Sequence, residues 1–244
     1  MLVLSHHKCA SVAVGAFLGE FCRLNGMTFF DSHYGGQPPS AVHDVNFLRN
    51  SDYHSVFQYV DSETIHIIRN PLSIVQSAYY SHLRTHSLEG WPELEAQRIV
   101  LGKCSLEEGL FLTVAFCERE DFYRGTRGPL SALRRWNFSD RRMVTLRVED
   151  LSDMTSSFRG AFQGADQFNW PDHENYTFRA LSGGRVAGQI NDASHFRSGD
   201  DQAWRRVLPP AIIAYVREHY RDVLEQYYPD ALSDVPGLDW RHQA

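Results

Sequence analysis

Short apolar runs alternate with longer amphipathic stretches along most of the chain. Leu2-Val3-Leu4-Ser5 reads as a short buried strand, and Ala10 to Leu24 as a helix with Val14, Phe17, Leu18 and Phe21 on one side. Met27 to Asp31 and Val45 to Leu48 are further strand candidates, with the Gly35-Gly36-Gln37-Pro38-Pro39 loop between them. Thr64 to Ile68 is a clearer strand, and Pro71 suits the first turn of a helix running to about His86, because its missing N–H costs nothing there. Ser105 to Tyr123, Leu130 to Trp136 and Met154 to Phe162 read as helices, and Met143 to Val148 as a strand. Pro209-Pro210 opens a last helix with Ile212, Ile213, Val216, Tyr220, Val223 and Leu224 on its apolar side. Strands that alternate with helices predict an α/β fold of three layers, a central and mostly parallel sheet flanked by helices.

The 244 residues suit a single domain over 1–244. Segments 84–128 and 164–201 interrupt the alternation and are expected to shape a pocket or a lid. The second is rich in Gly, Asn, Asp and Ser. No apolar run reaches the length of a membrane span, and Leu2 to Leu4 is too short for a signal peptide, so a cytoplasmic address is expected. Cys9, Cys22, Cys104 and Cys117 lack zinc-finger or C-x-x-C spacing, and no H-E-x-x-H pattern occurs; the expectation is no metal.

The net charge of −6 argues against a general nucleic-acid binder but leaves room for an anionic nucleotide in a locally positive pocket. Of the 24 basic residues only Lys8 and Lys103 are lysines, so a lysine directly after the first strand carries weight. A compact ammonium reaches a single phosphate oxygen where a guanidinium prefers a bidentate partner.

Three segments carry candidate chemistry. Ser5-His6-His7-Lys8-Cys9-Ala10-Ser11 is a strand-to-helix turn, which directs free N–H groups and a positive helix end at one spot. It is not a Walker A loop, and alone it reads equally well as an ordinary turn. Arg69 closes a strand, where open α/β sheets bind ligands, and Ser73, Ser77 and Ser81 share one face of the helix that follows. Taken alone, a salt-bridged arginine and solvated serines fit that segment too. Arg197-Ser198-Gly199 sits in a loop able to close on an anion, or to be a plain surface loop.

In this order the three segments resemble the PAPS-dependent sulfotransferase family, with its P-loop-like fold. Lys8-Cys9-Ala10-Ser11-Val12 is a loose version of the family's 5′-phosphosulfate loop. Arg69, Asn70, Pro71, Ser77 and Tyr79 follow its 3′-phosphate motif closely, and Arg197-Ser198-Gly199 with Trp204 resembles its late loop. Leu146 to Leu151 is similar to the strand ending in Glu-Asp-Leu that lies between them. Ala10, Val12, Ala13 and Ser198 depart from common family residues, Ala13 at a position where many members carry an adenine-stacking tryptophan.

The resemblance implies transfer of a sulfuryl group from PAPS to a hydroxyl or amine of a small-molecule or glycan acceptor, with PAP as product. It implies Lys8 as the group that stabilises the leaving phosphate. Arg69, Ser77 and Arg197 would grip the 3′-phosphate, and no metal is required. An acceptor base is expected among the histidines before the fourth strand. His43 and His54 are favoured over His33, Asp44 or Asp52 is the carboxylate alternative, and His82 is expected in the acceptor pocket. The competing readings are a non-catalytic PAP- or PAPS-binding regulatory protein and another phosphate-binding transferase such as a small-molecule kinase.

Overall fold

A computed structural model describes residues 1–35, 37–162 and 164–233. Gly36 of the expected loop and residues 234–244 of the expected domain lie outside the described residues. Five parallel strands form the sheet: β1 (Leu2–Ser5), β2 (Phe29–Ser32), β3 (Val45–Leu48), β4 (Thr64–Ile68) and β5 (Met143–Arg147), in the order β2-β3-β1-β4-β5. Leu2 pairs with Asn46 of β3 on one side and with Thr64 of β4 on the other, and Thr64 pairs with Met143.

The period-2 alternation of the strands divides their side chains between two cores. Val3, Phe47, Ile65 and Ile67 enter the larger core. There they meet α1 (Ser11–Asn25) through Val14, Phe17 and Leu18. Leu2, Leu4 and Leu48 point the other way, into a smaller cluster with Val56 and Trp136. Val56 belongs to the single-turn helix α2 (Tyr53–Val56), and the chain between α2 and β4 adds Val60. Helices therefore flank the sheet on both faces.

After β4 the chain enters α3 (Pro71–Tyr80), started by Pro71 and by the Asn70 side chain, which accepts from the Leu72 N–H at 3.0 Å. The helix expected to run on to His86 changes character at Ser81, where Ser81–Thr85 forms a π-helical turn. The alternation does not reveal α4 (Pro92–Leu101), which buries Leu94, Gln97 and Leu101 but exposes Ile99 and Val100, so its apolar residues follow no single face. Next come α5 (Leu106–Cys117), with a Ser105–Glu108 capping box, and α6 (Pro129–Arg134). Past β5 lie α7 (Met154–Ala161) and the one-turn helices α8 (Phe178–Leu181) and α9 (Trp204–Val207). The expected last helix breaks at Tyr220 into α10 (Pro210–His219) and α11 (Arg221–Tyr227).

All five carboxyl ends lie on one edge of the sheet, as parallel pairing requires. His7 and Lys8, His33, Arg49, Arg69 and Glu149 follow β1 to β5 in turn, and all line one cavity of about 1110 Å³. The pair β1 and β4 sits where successive connections diverge to opposite sides, the switch point at which such sheets bind ligands.

Candidate functional site

The turn after β1 is built with backbone strain. Lys8 (φ 68°) and Ala10 (φ 55°) both occupy the left-handed region that non-glycine residues avoid. The Cys9 N–H closes the turn on the His6 carbonyl at 3.1 Å. No side chain caps α1 at Ala10, and its first intrahelical bond runs from the Val14 N–H to the Ala10 carbonyl. The N–H groups before Val14 are therefore the orphan donors of a helix start, and Ala10, Ser11, Val12 and Ala13 all line the cavity. An anion there would meet both these donors and the positive helix end.

Lys8 stands over this turn and donates to the Ser81 hydroxyl at 2.8 Å. Burial, reinforced by the nearby Arg69 charge, pushes its ammonium down to about 7. An anion placed beside it would oppose both causes and favour the charged form.

Arg69 is tied to the same turn, donating from Nη1 to the Lys8 carbonyl at 3.1 Å. Its Nε is buried without a hydrogen-bond partner, an uncommon state for a guanidinium donor. Glu149 balances part of the charge. Burial raises its carboxyl, Arg69 opposes that, and its oxygens accept from the Asn70 N–H and the Tyr228 hydroxyl at 3.2 Å each.

The three serines of the α3 face have separate tasks. Ser73 donates to the Asp201 carbonyl at 3.0 Å, tying the late loop to α3. Ser77 lines the cavity, and Ser81 holds Lys8. The solvated-face alternative for this helix is thereby excluded. In the late loop, Arg197 donates from Nε to Asp192 at 2.6 Å and lays its guanidinium 3.5 Å from the centre of the Tyr80 ring. Gly199 (φ 61°) packs so closely on Phe178 that an added Cβ would lie 2.5 Å from that ring. Arg197, Ser198 and Gly199 all line the cavity.

Histidines occupy the far side of Lys8. The Nε2 atoms of His7 and His82 are 2.9 Å apart, and His82 Nδ1 lies 3.0 Å from the Gln97 carboxamide oxygen. His86 turns its Nδ1 to the Ser87 carbonyl at 2.9 Å. Burial keeps His7 and His82 well below the ordinary histidine value and pushes His86 and His195 down to about 4. Among the described residues no three His, Cys, Asp or Glu side chains are grouped to hold a metal ion.

Some expected positions lie elsewhere. His43 precedes β3 and bonds Ser40 at 2.7 Å, so it sits at the amino-terminal edge of the sheet, a strand's length from Lys8. His54 is exposed on α2. Neither lines the cavity: His43 lies at the amino end of β3, which a parallel sheet carries away from the site, and α2 leads the chain from the end of β3 back towards the start of β4. Asp44 is engaged by Thr28 and Asp52 by Arg127, and neither lines the cavity. His33 does line it. Cys9 is fully buried in the large core, so its side chain faces away from the cavity. His82 is fully buried behind His7 rather than lining the cavity, and the π-helical turn places it there. Tyr79 packs in the core against Gly109, and its neighbour Tyr80 takes the cavity position.

The sequence reading did not single out Arg49, Glu149, Tyr80, His86 or His195 as site residues. Arg49 and Glu149 follow the ends of β3 and β5 and were legible from that placement alone. Arg49 is neutralised by a bidentate pair with Asp31.

No family model matches the sequence, and no curated protein matches it. Among solved structures, mouse sulfotransferase SULT7A1 in complex with PAP aligns with 92% of this chain and 84% of its own, at a TM-score of 0.56 and 11% identity. Retinol dehydratase in complex with androsterone and the inactive cofactor PAP aligns with 97% of this chain and 83% of its own, at a TM-score of 0.49 and 10% identity. The chain thus shares the α/β fold of a PAP-binding sulfotransferase, with a parallel sheet flanked by helices.

Proposed function

We propose that the cavity binds PAPS and that the protein transfers its sulfuryl group to the hydroxyl of an acceptor. The observation that carries this reading is the Lys8–Arg69 pair. Two cations from adjacent strand ends, linked through the Lys8 carbonyl, face an uncapped helix start. Burial and the neighbouring Arg69 charge lower the Lys8 ammonium, and the Arg69 Nε has no protein partner, so an anion beside them would favour the charged Lys8 and give Nε an acceptor.

The residues present fit the donor nucleotide. Lys8 and the N–H groups of Ser11 and Val12 would hold the 5′-phosphosulfate. Arg69, Ser77 and Arg197 would hold the 3′-phosphate, with Ser198 and Gly199 closing over it. When bound, PAPS supplies a sulfuryl group whose bond to the 5′-phosphate oxygen breaks, leaving the electron pair on that oxygen, as the acceptor oxygen bonds to sulfur. Lys8 neutralises the charge that grows there, an effect strongest in a site shielded from water. Ser81 holds the Lys8 ammonium in place.

Segments 84–128 and 164–201 supply the other walls of the cavity: His86, Trp91, Tyr123 and Arg124 from the first, and Tyr176, Phe178 and the 195–201 loop from the second. They form the acceptor pocket and the lid of one domain. Among the described residues no helix is long and apolar enough to cross a membrane, and the acceptor is read as a small molecule or glycan.

Calorimetric titration with PAP, followed by transfer of labelled sulfate from PAPS onto an acceptor panel, tests this function. Binding in the micromolar range with turnover supports it. PAP binding without turnover favours a regulatory nucleotide-binding protein, and absence of PAP binding overturns the reading.

A further inference from the structure

From the hydrogen-bond chain Gln97–His82–His7 we infer that this protein carries its acceptor base at His7 Nδ1, held in the proton-accepting tautomer by two residues behind it. The inference rests on the sulfotransferase reading for its substrates, but the chain itself stands on geometry.

Gln97 is buried on α4. A carboxamide oxygen can only accept, so the 3.0 Å contact places a proton on His82 Nδ1. A neutral His82 then has a bare Nε2. The facing Nε2 of His7, 2.9 Å away, must therefore be the donor. His7 in turn has its Nδ1 bare, and His7 lines the cavity next to Lys8. Burial disfavours the imidazolium form of both rings, which keeps the pair neutral and the chain directional. The other cationic or titratable groups around His7 are Lys8, His86 and His195, and all three act against a second positive charge.

The surroundings fix the chain rigidly. Arg98 donates from Nε to the His82 carbonyl at 2.5 Å and from Nη2 to the His86 carbonyl at 2.7 Å, clamping the π-helical turn onto α4. The rings of Trp91 and Phe122 lie edge-on to His7, with centroids at 5.6 and 5.2 Å. Such a seat leaves His7 little freedom to present its other nitrogen.

In use, the acceptor hydroxyl gives its proton to His7 Nδ1 as its oxygen bonds to sulfur. His7 can pass its Nε2 proton to His82 Nε2, spreading the charge over two rings. The protonated pair later returns one proton to water, so one proton is released per transfer. His7 would be the catalytic residue, and His82 and Gln97 positioning residues.

Nitrogen NMR of the full chain with labelled histidine reads the tautomers directly, without an acceptor. Gln97→Glu provides the reference, because a carboxylate can only accept and forces the proposed direction. Wild type showing the same His7 and His82 tautomers as Gln97→Glu, with His7 Nδ1 bare, supports the inference. A protonated His7 Nδ1 in wild type, switching to bare in Gln97→Glu, overturns it. Water is a hydroxyl acceptor always present, so sulfate release from PAPS alone reads the base itself. His7→Gln should lower that rate about 100-fold, and an equal rate in the variant overturns the inference. PAP titration of the same samples separates the two levels: nucleotide binding with the wrong tautomer defeats the relay alone, whereas failure to bind PAP defeats the donor site on which the relay depends.

Discussion

Lys8 and Ser81 meet at 2.8 Å although they lie 73 residues apart, one on the turn after β1 and the other where α3 gives way to a π-helical turn. The contact places the lysine of the first candidate segment on the serine face of the second. It also explains how a half-buried ammonium is retained: a neutral hydroxyl accepts from it without cancelling its charge.

Under the proposed function, Lys8→Ala removes the charge that serves the growing negative charge on the leaving phosphate. Turnover should fall by on the order of 100-fold or more, while PAP affinity changes much less, because the interaction is strongest in the transition state. Single-turnover kinetics alongside calorimetry separates the two effects, and a variant with normal turnover would contradict the assigned role.

Arg69→Ala removes a cation whose Nε has no protein partner. PAP binding should weaken by about 1.5–3 kcal/mol, the range for a charge-assisted hydrogen bond. Unchanged affinity in calorimetry would place the 3′-phosphate elsewhere.

Tyr80→Leu deprives Arg197 of the ring that lies 3.5 Å beneath its guanidinium, leaving Asp192 as its orienting partner. A partly shielded cation–π contact is worth about 0.5–2 kcal/mol, so PAP affinity should fall several-fold with little change in melting temperature. Tyr80→Phe should retain wild-type affinity.

Ala10→Gly relieves a left-handed residue at φ 55°. The left-handed region costs an L-residue about 1–2 kcal/mol, and glycine's greater freedom in the unfolded chain returns part of it. A gain of about 1 kcal/mol in denaturant unfolding is expected, and a loss would show that the methyl group packs in a way that offsets the strain.

The buried pair His6 and His66, with Nε2 atoms 2.8 Å apart, makes the fold sensitive to acid. Burial pushes His6 down to about 3 and holds His66 well below its ordinary 6.5. The unfolded chain therefore binds more protons than the native one below pH 6.5, and stability drops as pH falls from 6.5 towards 3. Thermal unfolding at stepped pH should show this decline. His66→Phe, which can keep the stack on Trp136, should make it shallower.

Much of the fold is legible in the chain. The strands β1, β3 and β4 coincide with the expected apolar runs, because a strand buried on both faces is a short continuous hydrophobic segment. The start of α3 is written by Asn70-Pro71. By contrast, α4 escaped notice because its buried side includes Gln97, and a polar residue that is buried to serve a histidine breaks the apolar period. The break at Tyr220 was equally hidden, since α10 and α11 continue one apolar pattern.

The sequence by itself determined the alternation of strands and helices, the strand-end positions of Lys8 and Arg69, and the common face of Ser73, Ser77 and Ser81. Each depends on local periodicity and neighbouring residues, which the linear order contains. Only the tertiary structure decided what those groups face: Ser81 holds Lys8, Tyr80 rather than Tyr79 carries Arg197, and His82 backs His7 while His43 and His54 lie outside the cavity. Such choices depend on which ends of the strands share an edge and on a π-helical turn that rotates His82 behind His7. Contacts across 60 to 130 residues are set by packing of the whole chain, and no local pattern encodes them.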